Sequence, residues 1–450
     1  MSNTSTAPNS PSFWQACLFW LKLGCISFGG PAGQIAIMHQ ELVEKRRWIS
    51  ENRFLHALNY CMLLPGPEAQ QLATYLGWLL HGNRGGVTAG ALFVLPSLLL
   101  LIVLSWFYIA YGNLPLVAGI FYGIKPAVTA IVIHAAYRIG ARTLKNASLW
   151  AIAGAAFIAL FALHLPFPLI IFGAAICGYL GGKFLPKHFD TRAKHPPSTQ
   201  NSIHAIDSAK DAVIDDTTPI PAHAIFSWFK FARVLSIGFV LWLTPMLSLL
   251  WSFGWLHSYT QMAWFFSKAA LLTFGGAYAV LPYVTQAAVE HYGWLTPAQM
   301  IDGLALGEST PGPLIMVLSF VGFVTAYVQA LFGPEQLFLA GAFAAVLVTW
   351  FTFLPSFIFI LAGGPFIESS HNNLQVAAPL NAITAAVVGV IVNLAIFFTY
   401  HVLWPKGWGA SVDITSALLA LVALLALWRF KLNVVLVIVS CATIGWLTTL

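Results

Sequence analysis

The sequence predicts an all-α polytopic membrane protein made of two homologous helical repeats in inverted topology, with broken or re-entrant helices. Three observations carry that prediction. Of the 450 residues, 59% are hydrophobic and only 8% charged, against about 25% charged in ordinary soluble domains. A chain of this kind has too little polar surface to cover a water-soluble globule. Its apolar runs are also too long and too continuous for the alternating strands of a membrane barrel, whereas helices satisfy their own backbone groups in lipid. The second observation is a duplication at fixed offset. The third is that glycines and prolines interrupt apolar segments at matched positions in both copies.

The elements follow in order. Apolar segments at 12–40, 54–83, 87–111, 113–138, 147–164 and 166–182 make a first repeat over 1–182. Residues 183–225 read as a polar linker, because Lys183 to His223 holds five basic residues, five acidic residues and five prolines without helical periodicity. An extra transmembrane span follows at 226–256. The second repeat, 257–450, brings apolar segments at 258–288, 298–326, 337–362, 376–400, 414–428 and 432–450. At an offset of 246, Lys22 falls on Lys268, Phe28-Gly29-Gly30 on Phe274-Gly275-Gly276, Trp48 on Trp294 and Pro65-Gly66-Pro67 on Pro311-Gly312-Pro313, within 12 identities in 46 ungapped positions. Leu95-Pro96-Ser97 matches Leu354-Pro355-Ser356 after a 13-residue insertion. Internal repeats of membrane length are a transporter signature.

Charge orients the copies. One loop of the first repeat carries Lys45, Arg46, Arg47 and Arg53, and another Arg138, Arg142 and Lys145, while the loop of the second repeat at 288–298 has no Lys or Arg. One additional span between the copies reverses everything after it. The basic loops and the linker are therefore expected in the cytoplasm, and the first repeat's basic loops share one side if 12–40 and 54–83 are re-entrant hairpins.

Several function classes drop out. The net charge of +6 is spread along the chain and reads as membrane orientation, not nucleic-acid binding. The five cysteines are scattered through apolar runs without CxxC spacing, the thirteen histidines form no HExxH pair, and no Walker loop or Gly-x-Ser-x-Gly occurs. No cofactor or metal is expected, and the protein is not expected to be an enzyme. The first eleven residues carry no charge and lack the basic start of a cleaved signal peptide.

The interruptions are the candidate site. Glycines weaken a helix, and proline removes a hydrogen bond and then starts a new helix well. Phe28-Gly29-Gly30-Pro31, Pro65-Gly66-Pro67, Phe274-Gly275-Gly276 and Pro311-Gly312-Pro313 thus leave free N–H groups and helix N-termini near mid-membrane, a setting that attracts anions. The bland alternative is a packing kink. Lys22 and Lys268, each six residues before Phe-Gly-Gly, lie about 15 Å into their segments at 1.5 Å per residue and read as charge compensation for an anion, with snorkelling to the interface as the alternative. Glu68, directly after the first Pro-Gly-Pro, and Glu308, three residues before the second, can pair with the lysines, cap a broken helix or carry protons.

Phe28-Gly29-Gly30-Pro31, Trp48, Leu64-Pro65-Gly66-Pro67-Glu68, Phe274-Gly275-Gly276 and Gly307-Glu308-Ser309-Thr310-Pro311-Gly312-Pro313 together resemble the chromate ion transporter family in its two-domain long form, over essentially the whole chain. The resemblance implies a bacterial inner-membrane protein that exports chromate and confers chromate resistance. It also implies sulfate, another tetrahedral oxyanion, as competitor. Two departures separate the copies: Ala277 stands where the first has Pro31, and Leu314 where it has Glu68. The partners expected are chromate and the lipid bilayer, with a homodimer among the assemblies open to it. A sulfate carrier, an anion channel and a membrane-bound chromate reductase are the competing readings.

Overall fold

The computed structural model describes residues 10–28, 30–184, 212–215, 218, 221, 223–369 and 377–448. Gly29 and most of the linker lie outside the described residues.

The first repeat contains α1 (Phe13–Ile26), α2 (Gly30–His39), α3 (Glu51–Leu63), α4 (Glu68–Tyr111), α5 (Pro115–Thr143), α6 (Ala147–Phe161) and α7 (Phe167–Phe184). An extra helix, α8 (Trp228–Phe253), precedes the second repeat: α9 (Ser258–Leu271), α10 (Ala277–Thr285), α11 (Pro297–Ser309), α12 (Val317–Val328), α13 (Leu337–Ser369), α14 (Ala377–Leu403), α15 (Ile414–Trp428) and α16 (Val434–Leu447). Helices α4, α5, α7, α8, α13 and α14 are long and apolar enough to cross a membrane. The repeats agree in detail. Ser50 and Thr296, 246 positions apart, each cap the next helix by accepting from the N–H of Arg53 and Gln299. Both α2 and α10 run into a π-helical turn, at Gln40–Lys45 and Gln286–His291.

In the first repeat, the two early segments turn back on themselves. At His81–Gly82 the chain of α4 leaves helical geometry, and Gly77 then packs on Gly85 and Ala89, so its two arms run antiparallel. The Phe13 ring meets His81, and His81 Nε2 lies 3.0 Å from the Pro11 carbonyl. The start of α1 and this bend therefore share one face. From that face α1 descends to the break after Ile26 and α2 climbs back, with His39 returning to Glu51. Likewise α3 descends to Leu64–Pro67, and the first arm of α4 climbs back. Segments 12–40 and 54–83 are re-entrant hairpins. The second arm of α4 and helices α5, α6 and α7 then run back and forth between the two faces.

The second repeat repeats this plan from the opposite face. Tyr259, at the start of α9, donates 3.1 Å to Ala340 at the start of α13, while the far end of α13 reaches the first face, where Glu368 meets Arg53. Both hairpins, α9–α10 and α11–α12, thus hang from the face opposite those of the first repeat. The topology is inverted, and α8 supplies the reversal. Outside Lys22, Lys125 and Lys268, which lie along helices, every described Lys and Arg except Lys406 gathers at the face from which the first hairpins enter.

The repeats are interlaced, not merely juxtaposed. The central helix α5 packs on α15 and α16 of the other repeat, and its counterpart α14 packs on α6 and α7. Small residues permit the approach: Gly123 of α5 lies against Gly445 and the Cys441 carbonyl of α16, and Gly389 of α14 against the Ala153 carbonyl of α6. Close backbone packing of this kind drives helix association in lipid, where burial of apolar surface contributes little.

Candidate functional site

The four breaks meet at mid-depth. Because each hairpin enters only halfway, its returning helix begins at the centre, so the N-termini of α2 and α4 from one face converge with those of α10 and the 3₁₀ turn Leu314–Met316 that leads into α12 from the other. Two hydrogen bonds tie the repeats together reciprocally. The Gly66 N–H donates 2.7 Å to the Thr273 carbonyl, and the Gly312 N–H donates 2.8 Å to the Ser27 carbonyl. Gly66 and Gly312 are equivalent at the offset of 246, as are Ser27 and Thr273. A local two-fold axis therefore passes between the Pro-Gly-Pro turns.

Glycine is required at both turns. Gly66 has φ of 127° and Gly312 of 109°, values that side-chain-bearing residues rarely adopt. A Cβ at Gly66 would also overlap Ser356 Oγ, and one at Gly312 would fall 2.6 Å from Ser97 Cβ. The two Leu-Pro-Ser motifs thus have a role: each places its serine under the Pro-Gly-Pro turn of the opposite repeat. Around them lies a buried polar shell. Gln71 Nε2 donates 2.7 Å to the Pro65 carbonyl and 3.4 Å to Ser356 Oγ, and Gln34 Nε2 donates to the Gly312 carbonyl. Yet Ser97 Oγ and the side-chain oxygens of Gln34, Gln70 and Gln71 are buried without a hydrogen-bond partner among the described residues. Unsatisfied buried polar atoms cost about 1–3 kcal/mol each, and here four of them cluster beside the helix N-termini.

Most sequence-predicted residues belong to this centre. Pro65, Gly66, Pro67, Pro311, Gly312 and Pro313 form its two turns, and Gly30, Pro31, Gly275 and Gly276 open α2 and α10. Ala277 and Leu314, the departures from Pro31 and Glu68, are both buried there. Phe28 is exposed and Phe274 half-buried. Gly29 lies outside the described residues. Glu68, the first residue of α4, directs Oε1 to within 3.9 Å of where a Cβ on Gly276 would stand; its carboxylate faces the start of α10 as well as its own helix. Glu308 is buried at the end of α11 and accepts a hydrogen bond from Tyr278.

The lysines stand elsewhere. Lys22 is exposed on the outer side of α1. Lys268 is half-buried, its ammonium 5.7 Å from the Trp264 ring centre, and it lines a pocket with Glu290 and His291 towards the face opposite the basic one. Neither touches the break centre.

Two polar clusters are invisible to the repeat pattern. Near the basic face, Arg53 of α3 pairs with Glu368 of α13 at 2.5 Å, and Tyr75 donates 2.5 Å to the same carboxylate. Towards the other face, Asp302 of α11 accepts 2.9 Å from Tyr108 of α4 and lies 3.5 Å from Lys125 of α5. These clusters occupy pseudo-equivalent places: each joins the entering helix of a second hairpin to the far end of the opposite repeat's first crossing. Their residues do not match at the offset, since Asp302 falls on His56 and Arg53 on Gln299, so identities between the repeats pass over them. The signal the sequence does carry is an unmatched acid and an unmatched lysine inside apolar segments.

The chain's sequence relatives agree with this architecture. The sequence profile described as Chromate transporter matches residues 14–179 and 260–446, once in each repeat. The chain belongs to the chromate transporter family. A chromate transport protein of Pseudomonas aeruginosa is 31% identical over 99% of this chain and 95% of its own length. Another, of Cupriavidus metallidurans, is 28% identical over 96% of this chain and 92% of its own. An uncharacterized transporter of Methanocaldococcus jannaschii is 26% identical over 98% and 95%. No solved structure matches the chain significantly. As a family member it is a multi-pass membrane transporter, and the two profile matches coincide with the two repeats whose broken helices cross.

Proposed function

We propose that the protein is a secondary transporter that exports chromate from the cytoplasm across a bacterial inner membrane and so confers chromate resistance. The observation that carries this reading is the crossing itself: four helix N-termini and a shell of unpartnered buried polar atoms at mid-depth, on an inverted-repeat scaffold. Helix N-termini present N–H donors and positive dipole ends, which suit an anion with oxygens on all sides. Inverted repeats supply two conformations of similar energy, related by exchange of the repeats' roles, and that is the basis of alternating access. The basic face is the cytoplasmic one by the positive-inside rule, which puts the linker in the cytoplasm.

Export of a dianion needs no obligatory coupling ion. With the inside negative, each exported negative charge gains about 2.3 kcal/mol per 100 mV, so chromate gains about 4.6. Glu68 adds a second element of control. Its carboxylate already faces the N-termini that an oxyanion would use, so protonation or withdrawal of Glu68 favours substrate binding. A proton bound in this way leaves with the anion, so with Glu308 as the second carrier export becomes sensitive to the proton gradient while the membrane potential supplies the driving force. Sulfate shares the size and charge of chromate and is expected to compete.

Uptake of chromate into everted membrane vesicles tests the reading, since everted vesicles turn export into uptake. Energised, saturable uptake above vesicles without the protein, suppressed by excess sulfate, is the expected result. No uptake above that background would overturn the chromate assignment while leaving the architecture intact.

A further inference from the structure

Between the hairpins of the second repeat and the helices packed on them lies a pocket of about 660 Å³ that opens at the basic face. Its wall carries Arg138 and Arg142 from the last turns of α5 and Lys431 from the loop between α15 and α16, with His134 one turn deeper on α5 and Tyr278 and Glu308 at its floor. Arg138 is half-buried, and Arg142 and Lys431 are exposed. Among the described residues none of the three cations has a carboxylate within 4.0 Å. The other half-buried arginines among the described residues are different: Arg53 is locked to Glu368 and Arg46 lies 3.5 Å from Glu41. The floor is joined to the break centre, because Tyr278 is the second residue of α10 and Glu308 lies three residues before Pro311.

We propose that this pocket is a cytoplasmic capture site for a tetrahedral oxyanion dianion, from which the substrate passes to the crossing of the broken helices; the proposal rests on the oxyanion-transport reading above. Charge matches the ligand. Three unpaired cations against one carboxylate leave two net positive charges, the complement of a dianion. Guanidinium groups present paired N–H donors that fit two oxygens of an oxyanion at once. A cleft lined by one sign of charge with apolar walls also concentrates the ion at its mouth. At the floor an ionised Glu308 opposes passage of a dianion, so transfer inwards requires its carboxylate to be neutralised or turned aside; the Tyr278 hydroxyl that now caps it stands at the start of α10. An anionic lipid headgroup carries the same phosphate-type chemistry, and the pocket's rim includes Tyr137 and Trp428, so the test separates the two sources.

The purified full-length protein is reconstituted in liposomes of phosphatidylcholine alone and of phosphatidylcholine with phosphatidylglycerol, and chromate flux entering from the basic face is measured as a function of concentration. Arg138→Gln and Lys431→Gln are expected to raise KM about ten-fold each, the loss of one charge-assisted contact, with Vmax changed less than two-fold and Arg138→Lys intermediate. The shift is expected equally in both lipids. A shift seen only with phosphatidylglycerol would reassign the pocket to lipid headgroups, and wild-type KM in all variants would overturn it. Equilibrium binding of radiolabelled sulfate to the protein in neutral detergent reads the pocket without transport. If the wild type binds sulfate in an Arg138-dependent way but moves no chromate, the pocket stands and the transport reading falls. If it moves chromate but binds sulfate independently of Arg138, the transport reading stands and the pocket falls.

Discussion

Replacing Gly66 by alanine perturbs the link on which the crossing depends. At φ of 127° an alanine is strained by about 1–3 kcal/mol. The added Cβ also overlaps Ser356 Oγ and stands 2.6 Å from Gln71 Nε2, and overpacking a tight site of this kind costs about 1–3 kcal/mol more. The sum, about 2–6 kcal/mol, is a large share of the about 5–15 kcal/mol that holds a typical fold. Relief pulls Gly66 away from Thr273, so the 2.7 Å bond between repeats is lost with it. The assay is paired: thermal unfolding in detergent, and chromate uptake in everted vesicles. Gly66→Ala is expected to melt well below the wild type and to transport poorly. Adding Ser356→Gly removes the clash with Ser356 but leaves the contact with Gln71 and the backbone strain, so it should recover part, less than half, of the lost stability. The two-fold axis predicts the same for Gly312→Ala with Ser97→Gly. Gly154→Ala is the control, because a Cβ there would meet nothing within 4 Å. A Gly66→Ala protein that melts and transports like Gly154→Ala would refute the reasoning.

The two polar clusters between the repeats give further tests. Arg53→Gln leaves Glu368, whose side chain is only 2% exposed, without its cation. Stripping one partner from a buried pair costs about 3–5 kcal/mol, so a marked drop in melting temperature is expected, and a double-mutant cycle with Glu368→Gln should show positive coupling. Asp302→Asn removes the charge between Tyr108 and Lys125 while keeping the shape; uptake should fall with little loss of expressed protein, and uptake at the wild-type rate would make that cluster structural only. Glu68→Gln abolishes the charge that faces α10 and should leave potential-driven uptake in place while removing its response to an imposed proton gradient. Collapsing the membrane potential alone is expected to slow wild-type export, and unchanged export would count against a potential-driven mechanism.

Much of the fold is legible because a duplication leaves a signal that hydropathy cannot. The matched Phe-Gly-Gly and Pro-Gly-Pro interruptions mark the four breaks, and the location of cations in the first repeat requires re-entrant hairpins if the basic loops are to share a face. What the sequence does not carry is where a side chain on a helix points. Lys22 and Lys268 lie at the expected depth along the chain, but α1 turns Lys22 outward and α9 lays Lys268 over Trp264. Burial of a lysine depends on rotation about the helix axis, which is set by packing of α1 on α4 and of α9 on α13. Similarly, Ser97 and Ser356 are matched by motif, yet only the interlacing of the repeats reveals that each sits beneath the other repeat's turn. Asp302, Lys125, Arg53 and Glu368 pair between repeats, at separations that no local pattern encodes.

The central claim is that the crossing of broken helices moves an oxyanion and that the membrane potential drives it. The most direct measurement uses purified protein in sealed liposomes, with a potassium diffusion potential imposed by valinomycin and chromate presented at the basic face. The account predicts saturable chromate flux that rises when the far side is made positive, that excess sulfate inhibits, and that Gly66→Ala and Gly312→Ala strongly reduce. Flux no greater than in protein-free liposomes, or flux indifferent to the sign of the potential, would contradict it.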